Sequence, residues 1–409
     1  MSSPNQMSPE ELRASLSLAG VFGLRMLGLF IILPVFSLYA AQLGGGHSYL
    51  LVGIALGAYG ITQAILQIPF GWLSDRYGRK PIIYLGLILF ALGSFVAAAA
   101  DNIYVVILGR LIQGAGAISA VVQALVADLT RVEQRTKAMA MIGGTIAVSF
   151  ALSIILAPVL NRWIGVPGIF AMTGVLALLA IVLVAKVVPN NRIATDINPR
   201  RVEGKLLSKV LSNDQLLRLN FGIFALHAGL TALFTVTPLL LRQSGMDINQ
   251  HWQVYLPVVL GSFVLMLPAV MGGDRRGQDK RIFIGAIAVL IAAFAVLASA
   301  IHSFWLLCLG LLIFFTAFNV LEASIPAWIS KIAPSEMRGT ALSVHSIFQF
   351  LGPAVGGYAS GFLYDRYGAM AVYGFCAALA VLWGWVALPL RPISPPQDES
   401  NAFQALEGR

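Results

Sequence analysis

The sequence predicts an all-α polytopic membrane protein, with twelve transmembrane helices in two pseudo-symmetric six-helix bundles. Three observations carry that expectation. The chain is 58% hydrophobic and 11% charged, with a mean hydropathy of +0.82, against roughly 25% charged residues in a soluble domain. Apolar runs of about the 20 residues needed to cross a bilayer recur throughout. Short signals also recur at offsets of about 200 residues, as duplication of a six-helix unit requires.

In order, the first bundle holds runs at about 14–41, 50–72, 81–99, 104–126, 138–160 and 167–188. The first begins near Ala14 and is too long, and followed by too many others, to be a cleaved signal peptide. Runs two and three are separated only by Gly71-Trp-Leu-Ser-Asp75-Arg76-Tyr-Gly78-Arg79-Lys80, so they are neighbouring antiparallel helices. Its glycines permit positive backbone dihedrals, and Asp75 is placed for a helix N-terminus or a cation to hold it. In run four, Arg110 lies 18 positions before Asp128, which is five turns and so one face, about 27 Å apart along the axis. Gln113, Gly114, Ala117, Val121 and Ala124 fill that stripe and leave room for a neighbouring helix.

A polar linker, 189–217, follows residues 1–188. Its segment 203–217 spaces Leu206, Val210 and Leu217 for an amphipathic helix on the membrane surface. The second bundle, 218–388, holds runs at about 218–241, 252–272, 282–300, 304–328, 339–361 and 369–388, before a tail at 389–409. Gly352-Pro353, Gly356-Gly357 and Gly361 interrupt the apolar pattern of the last two runs, which glycine and proline can do in membrane helices. The duplication is visible where Arg135-Thr-Lys-Ala138 matches Arg338-Gly-Thr-Ala341 and Ala157-Pro158 matches Gly352-Pro353. Gly71–Lys80 has a degraded partner in Gly273-Asp274-Arg275-Arg276-Gly277.

Charge sets the orientation. Of the 27 Lys and Arg, 22 lie in the tails and even-numbered connections, three (Arg162, Arg242, Arg366) in the odd-numbered ones, and two (Arg25, Arg110) inside runs. That bias puts both termini in the cytoplasm and reads the net charge of +9 as a topology signal and an anionic-lipid contact, not a nucleic-acid patch. Cys308 and Cys376 lie in apolar runs and act as small hydrophobes.

Gly71-x-Leu73-x-Asp75-Arg76-x-Gly78-Arg79-Lys80 resembles the cytoplasmic signature loop of the major facilitator superfamily, with every key position filled. Arg110-x-x-Gln113-Gly114 resembles its fourth-helix arginine motif, and Arg25-Met-Leu-Gly-Leu-Phe-Ile-Ile-Leu-Pro34 is similar to the first span of bacterial drug/proton antiporters. The fifth-helix antiporter motif is altered, since Gly143-Gly144 precedes Ala157-Pro158 and no glycine pair follows the proline. The resemblance covers essentially the whole chain and extends to inner-membrane transporters of enteric bacteria that carry a small soluble C-terminal domain, which this chain is expected to lack. It implies a transporter working by alternating access. It also implies that Asp75 meets the start of the eleventh helix near Gly339 and that Arg79 pairs with Asp128, forming a latch that favours the outward-facing state.

Charges inside a membrane are costly and mark candidate sites. Arg25, near mid-depth with no carboxylate deep in its half, is expected in a cavity, where it favours neutral or anionic compounds. Arg110 is either a structural hub for carbonyls or part of substrate or proton coupling. Glu322, the one carboxylate well inside the second bundle, has Asn319 a turn before and Pro326 a turn after; it is a protonation switch or a structurally paired acid. His227 and His345 join it as titratable groups, and Gln63, Gln67, Gln123 and Gln349 as polar groups of a pocket.

The expected function is therefore proton-coupled efflux of a small organic compound by a monomer in the bacterial inner membrane, driven by the proton gradient without a cofactor. An uncoupled facilitator or importer of the same fold, or a transport-inactive sensor, is the alternative. No phosphate-cradling loop, HExxH, GxSxG or Cys/His metal pattern occurs, so neither ATP hydrolysis nor another enzymatic activity is expected, and no residue is assigned as catalytic or metal-binding.

Overall fold

A computed structural model of the chain describes residues 7–131, 134–189, 206–276, 279–334 and 337–392, without side-chain detail at 136 and 269–279. Every described regular element is a helix. Helix α1 (Pro9–Phe30) starts with Pro9 in its first turn and a reciprocal cap: the Glu11 carboxylate accepts from the Ser8 amide (2.7 Å) and the Ser8 hydroxyl from the Glu11 amide (3.2 Å). It passes to α2 (Leu33–Ala40) through Ile31 and Ile32, because Pro34 has no N–H to give the Phe30 carbonyl. Then come α3 (Tyr49–Tyr77), α4 (Arg79–Ala98), α5 (Ile103–Ala115), α6 (Ser119–Asp128) and α7 (Arg135–Val187). A short helix α8 at 206–211 precedes α9 (Asp214–Gln243), α10 (Trp252–Arg276), α11 (Asp279–Ser299), α12 (Phe304–Ile332) and α13 (Arg338–Ala387).

At 53 residues α7 is about 80 Å long, far more than the ~30 Å hydrocarbon core. It turns back at Gly165 (φ 64°, ψ 175°), and α13 does the same at Gly368 (φ 75°, ψ −170°); both are conformations in which a Cβ is strained. Ten apolar helical stretches among the described residues, two of them bent back in this way, give the twelve crossings that the sequence predicts.

Three expectations need correction. Run two does not end at 72: α3 continues to Tyr77, so the connection shrinks to Gly78 at φ 94°. Run four is not one helix. Gly116, Ala117 and Ile118 break it, with Gly116 at ψ 53°, so the five-turn register between Arg110 and Asp128 does not hold. The linker helix divides at Ser212 and Asn213, whose side chain caps α9; Val210 is buried on α8, while Leu217 belongs to α9. Residues 190–205, 277–278 and 393–409 lie outside the described residues, and with them most of the linker, Gly277 of the degraded repeat and most of the tail.

Within the first half, α1 packs on α7, α4 on α5 and α7, and α3 on α5. Within the second half, α9 packs on α13, α11 on α12 and α13, and α10 on α12. The halves meet where α3 packs on α13, α7 on α10 and α2 on α9. Under the duplication, α3 corresponds to α10 and the first arm of α7 to that of α13, so the first two seams are one contact used twice. Glycines set the α3–α13 seam. A Cβ on Gly53, Gly57 or Gly60 would sit 1.9 Å from the Gly357 carbonyl oxygen, 2.8 Å from Ala354 Cα and 2.3 Å from the Phe350 carbonyl oxygen. On its other face α13 presses Gly352 and Gly356 onto α9 at Phe224 and Ala228. The glycines that interrupt the apolar pattern thus let one helix lie between two backbones.

Candidate functional site

Around the 71–80 stretch, Arg79 is the hub. Its Nε donates to Asp128 Oδ2 (3.1 Å) and its Nη1 to Ser74 Oγ (2.7 Å), and it forms an ion pair with Asp75. Lys80 donates to the Val188 carbonyl at the end of α7, and Arg76 lies 5.4 Å from the Tyr77 ring centroid. The Arg79–Asp128 pairing implied by the resemblance is therefore present as geometry. Asp75 is not joined to Gly339: its carboxylate goes to Arg79, and the space above the Cα atoms of both Gly71 and Gly339 is open for 4 Å. Nearby, Arg131 grips Glu11 with its amide (2.9 Å), Nε (3.0 Å) and Nη2 (3.0 Å), tying α1 to the end of α6. Charge counting reads Arg131 only as a topology marker; the Ser8-x-x-Glu11 capping box is the signal that points to Glu11.

At the other end of the seam the halves are tied by Asp365. Its carboxylate accepts from Ser48 Oγ (3.1 Å) and from the amides of Tyr49 (2.9 Å) and Leu50 (2.8 Å), so it caps α3 from the opposite half. Asn161 donates to Asn249 (3.3 Å) across the α7 side on the same face. Charge counting passes over Asp365, because acids carry little topogenic weight.

Arg25, expected in a cavity, is enclosed by polar side chains in this structure. It is 2% exposed and donates to Ser119 Oγ (3.1 Å), Tyr59 Oη (2.9 Å) and Gln63 Oε1 (2.6 Å), with Gln63 passing a bond on to Gln67 (3.0 Å). The charge is spread over neutral acceptors on α3 and α6, which the break before Ser119 brings within reach of α1. Arg110, equally buried, donates to Gln113 Oε1 (3.0 Å), and its guanidinium lies 5.1 Å from the Tyr59 ring centroid. Gln113 donates to Ser94 (2.7 Å). Tyr59 thus stands between the two arginines, a role that no spacing in the sequence reveals.

In the second half, Gln349 Nε2 donates to Glu322 Oε1 (3.0 Å) and lies 3.2 Å from His227 Nε2, while His227 Nδ1 is 3.8 Å from Glu322 Oε2. Three helices supply the triad. A Cβ on Gly352 would meet His227 Cβ at 2.9 Å, so this glycine brings α13 close enough for Gln349 to reach α9. Pro326 removes the N–H that would bond the Glu322 carbonyl and loosens α12 at the acid. A quarter of the Glu322 side chain remains open. His345 is buried one turn before Gln349 but is no member of this set, and Asn319 instead donates to Ser262 (2.9 Å). With Gln349 donating to Nε2, the His227 proton sits on Nδ1, facing the Ile223 carbonyl (3.3 Å) and Glu322. An acid, an imidazole and one amide can hold and pass a single proton.

Comparison with known proteins finds the family described as the Major Facilitator Superfamily over residues 18–297 and again over 251–408. The chain is 43% identical over 394 residues to "Inner membrane transport protein YajR" of Escherichia coli (strain K12), covering 96% of this chain and 86% of that protein. It is 26% identical over 361 residues to "Quinolone resistance protein NorA" of Staphylococcus aureus (strain N315), covering 85% and 89%. The crystal structure of a D-xylose-proton symporter superposes with a TM-score of 0.72 at 19% identity over 94% of this chain and 97% of that one, a likeness of fold.

Proposed function

Because the chain belongs to the Major Facilitator Superfamily and is a multi-pass membrane transporter, not an enzyme, we propose that it exchanges protons for a small organic compound leaving the cell. In this reading both termini are cytoplasmic, as the charge bias of the connections suggests, and the two halves of a monomer rock to expose one side of the bacterial inner membrane at a time. The proton gradient supplies the energy and no cofactor takes part; anionic lipids meet the basic connections. Similarity to a quinolone resistance protein supports the direction.

The observation that carries the proposal is the Glu322–Gln349–His227 triad. Glu322 is held at membrane depth by neutral or titratable partners, so proton occupancy decides whether it is charged. Gln349 delivers that change: the next residue, Phe350, packs on Gly60 and has its ring 6.2 Å from Tyr59 at the α3–α13 seam. Asp75, Asp128, Arg79 and Gly339 then act as the cytoplasmic latch, and Arg25, Arg110 and Gln113 as the polar floor of the first half.

The test is flux in proteoliposomes with and without an imposed pH gradient. A thermal-shift screen that includes a quinolone supplies the transported probe. Wild type should accumulate the probe with the gradient, and Glu322→Gln should lower gradient-driven accumulation at least tenfold while leaving downhill exchange. Wild-type flux that ignores the gradient, with no proton released on binding, overturns coupling in favour of a facilitator.

A further inference from the structure

Gly71-Trp-Leu-Ser-Asp75-Arg76-Tyr77-Gly78 is repeated as Gly361-Phe-Leu-Tyr-Asp365-Arg366-Tyr367-Gly368, with six of eight positions identical and the second aromatic in both. The two octapeptides are not partners under the duplication, which relates α3 to α10. They end the two helices that pack against each other, α3 and the first arm of α13, at opposite faces of the membrane. Each closes on a glycine with positive φ, 94° at Gly78 and 75° at Gly368, where the next span begins.

The two helices run antiparallel in a constant register. Gly361 faces Tyr49, Gly357 faces Gly53, Ala354 faces Gly57 and Phe350 faces Gly60. At the far end of this series Asp365 caps α3 through Ser48, Tyr49 and Leu50. Carried to the other end, the same register sets Gly71 on Gly339 and brings Asp75 to Arg338, Gly339 and Thr340, the first residues of α13. There the helices have parted, since a Cβ on Gly71 or Gly339 would meet nothing within 4 Å, whereas one on Gly361 would lie 2.3 Å from the Tyr49 carbonyl oxygen.

We propose that the Gly361–Gly368 octapeptide is a second conformational latch, in which Asp365 holds the halves together at the face opposite Gly71–Gly78 and so favours the state in which that other end is open. Each helix carries the acid that caps its neighbour, so α3 and α13 are fastened at one end or the other as the halves rock. Asp365 is solvent-exposed and the three residues it bonds are only half-buried, which keeps the fastening weak enough to release. The Tyr49–Tyr364 ring contact (4.5 Å) and the Asn161–Asn249 bond close the same face beside it. The proposal rests on the rocking of two halves proposed above and is independent of proton coupling and substrate.

The experiment reads spin-label distances in nanodiscs, in a Cys308→Ala/Cys376→Ala background. One pair, His47→Cys with Met370→Cys, spans the Asp365 end; the other, Tyr77→Cys with Arg338→Cys, spans the Gly71 end. Asp365→Asn should raise the share of molecules with a short Tyr77–Arg338 distance and a long His47–Met370 distance by about two- to tenfold. Asp365→Glu should shift it less, and Asp75→Asn in the opposite direction. Ser48→Ala, which removes one bond and leaves the acid, should act in the Asp365→Asn direction even if that variant folds poorly. Two wild-type populations that neither Asp365→Asn nor Ser48→Ala shifts would sink the latch and leave rocking intact. A single unmoving distance for both pairs in every variant overturns the latch together with the rocking on which it rests.

Discussion

Arg79 shows how much of a charged motif is local wiring. Its side chain is 16% exposed and that of Asp128 30%, and they bond through Nε while Nη1 serves Ser74 and Asp75. A double-mutant cycle of Arg79→Ala and Asp128→Asn, followed by thermal unfolding in detergent, should give a coupling of about 1 kcal/mol. Arg79→Lys should keep only part of it, because an ammonium cannot serve three partners held by a planar fork. At this scale the sequence shows which residues are costly to bury but not what they touch. Arg25 and Arg110 are legible as intramembrane cations; Tyr59 between them is not, because an aromatic on an apolar helix carries no local signal of its partner. Glu322 and His227 lie far apart in the chain, yet they come within 3.8 Å of each other and are bridged by Gln349, on a third helix.

Among the elements, glycines decide where helices turn and where they touch. Gly165→Ala should cost about 1–2 kcal/mol, read by thermal unfolding, because φ 64° places a Cβ against the following carbonyl. Gly356→Val should be worse, since even a Cβ would lie 2.2 Å from the Ala228 carbonyl oxygen, with backbone on both sides of α13. Gly374→Ala should be neutral or slightly stabilising, as nothing lies within 4 Å of its new Cβ. A glycine-rich stretch such as 352–361 reads in sequence as an interruption, yet it packs because its glycines fall on faces turned toward α3 and α9. The break at 116–118 escapes the apolar pattern for the opposite reason: hydropathy continues across it while the backbone does not.

For the whole molecule, the charge bias makes a topology prediction. A cysteine at His47 should react with a membrane-impermeant maleimide from outside intact cells, and one at Tyr77 only after the membrane is opened; the reverse pattern would overturn cytoplasmic termini. The amino-acid order alone determined the number of crossings, the duplication and the charged stretch 71–80. These depend on composition and spacing within some tens of residues, and burial in hydrocarbon enforces them wherever the helices pack. Only the tertiary structure decided which end of the α3–α13 seam is fastened, that Asp365 reaches Ser48, Tyr49 and Leu50 about 315 positions away, and that Asp75 turns to Arg79 instead of α13. The physical reason is that which end of this close-packed glycine seam is fastened is a balance of weak contacts between distant segments that no local pattern encodes.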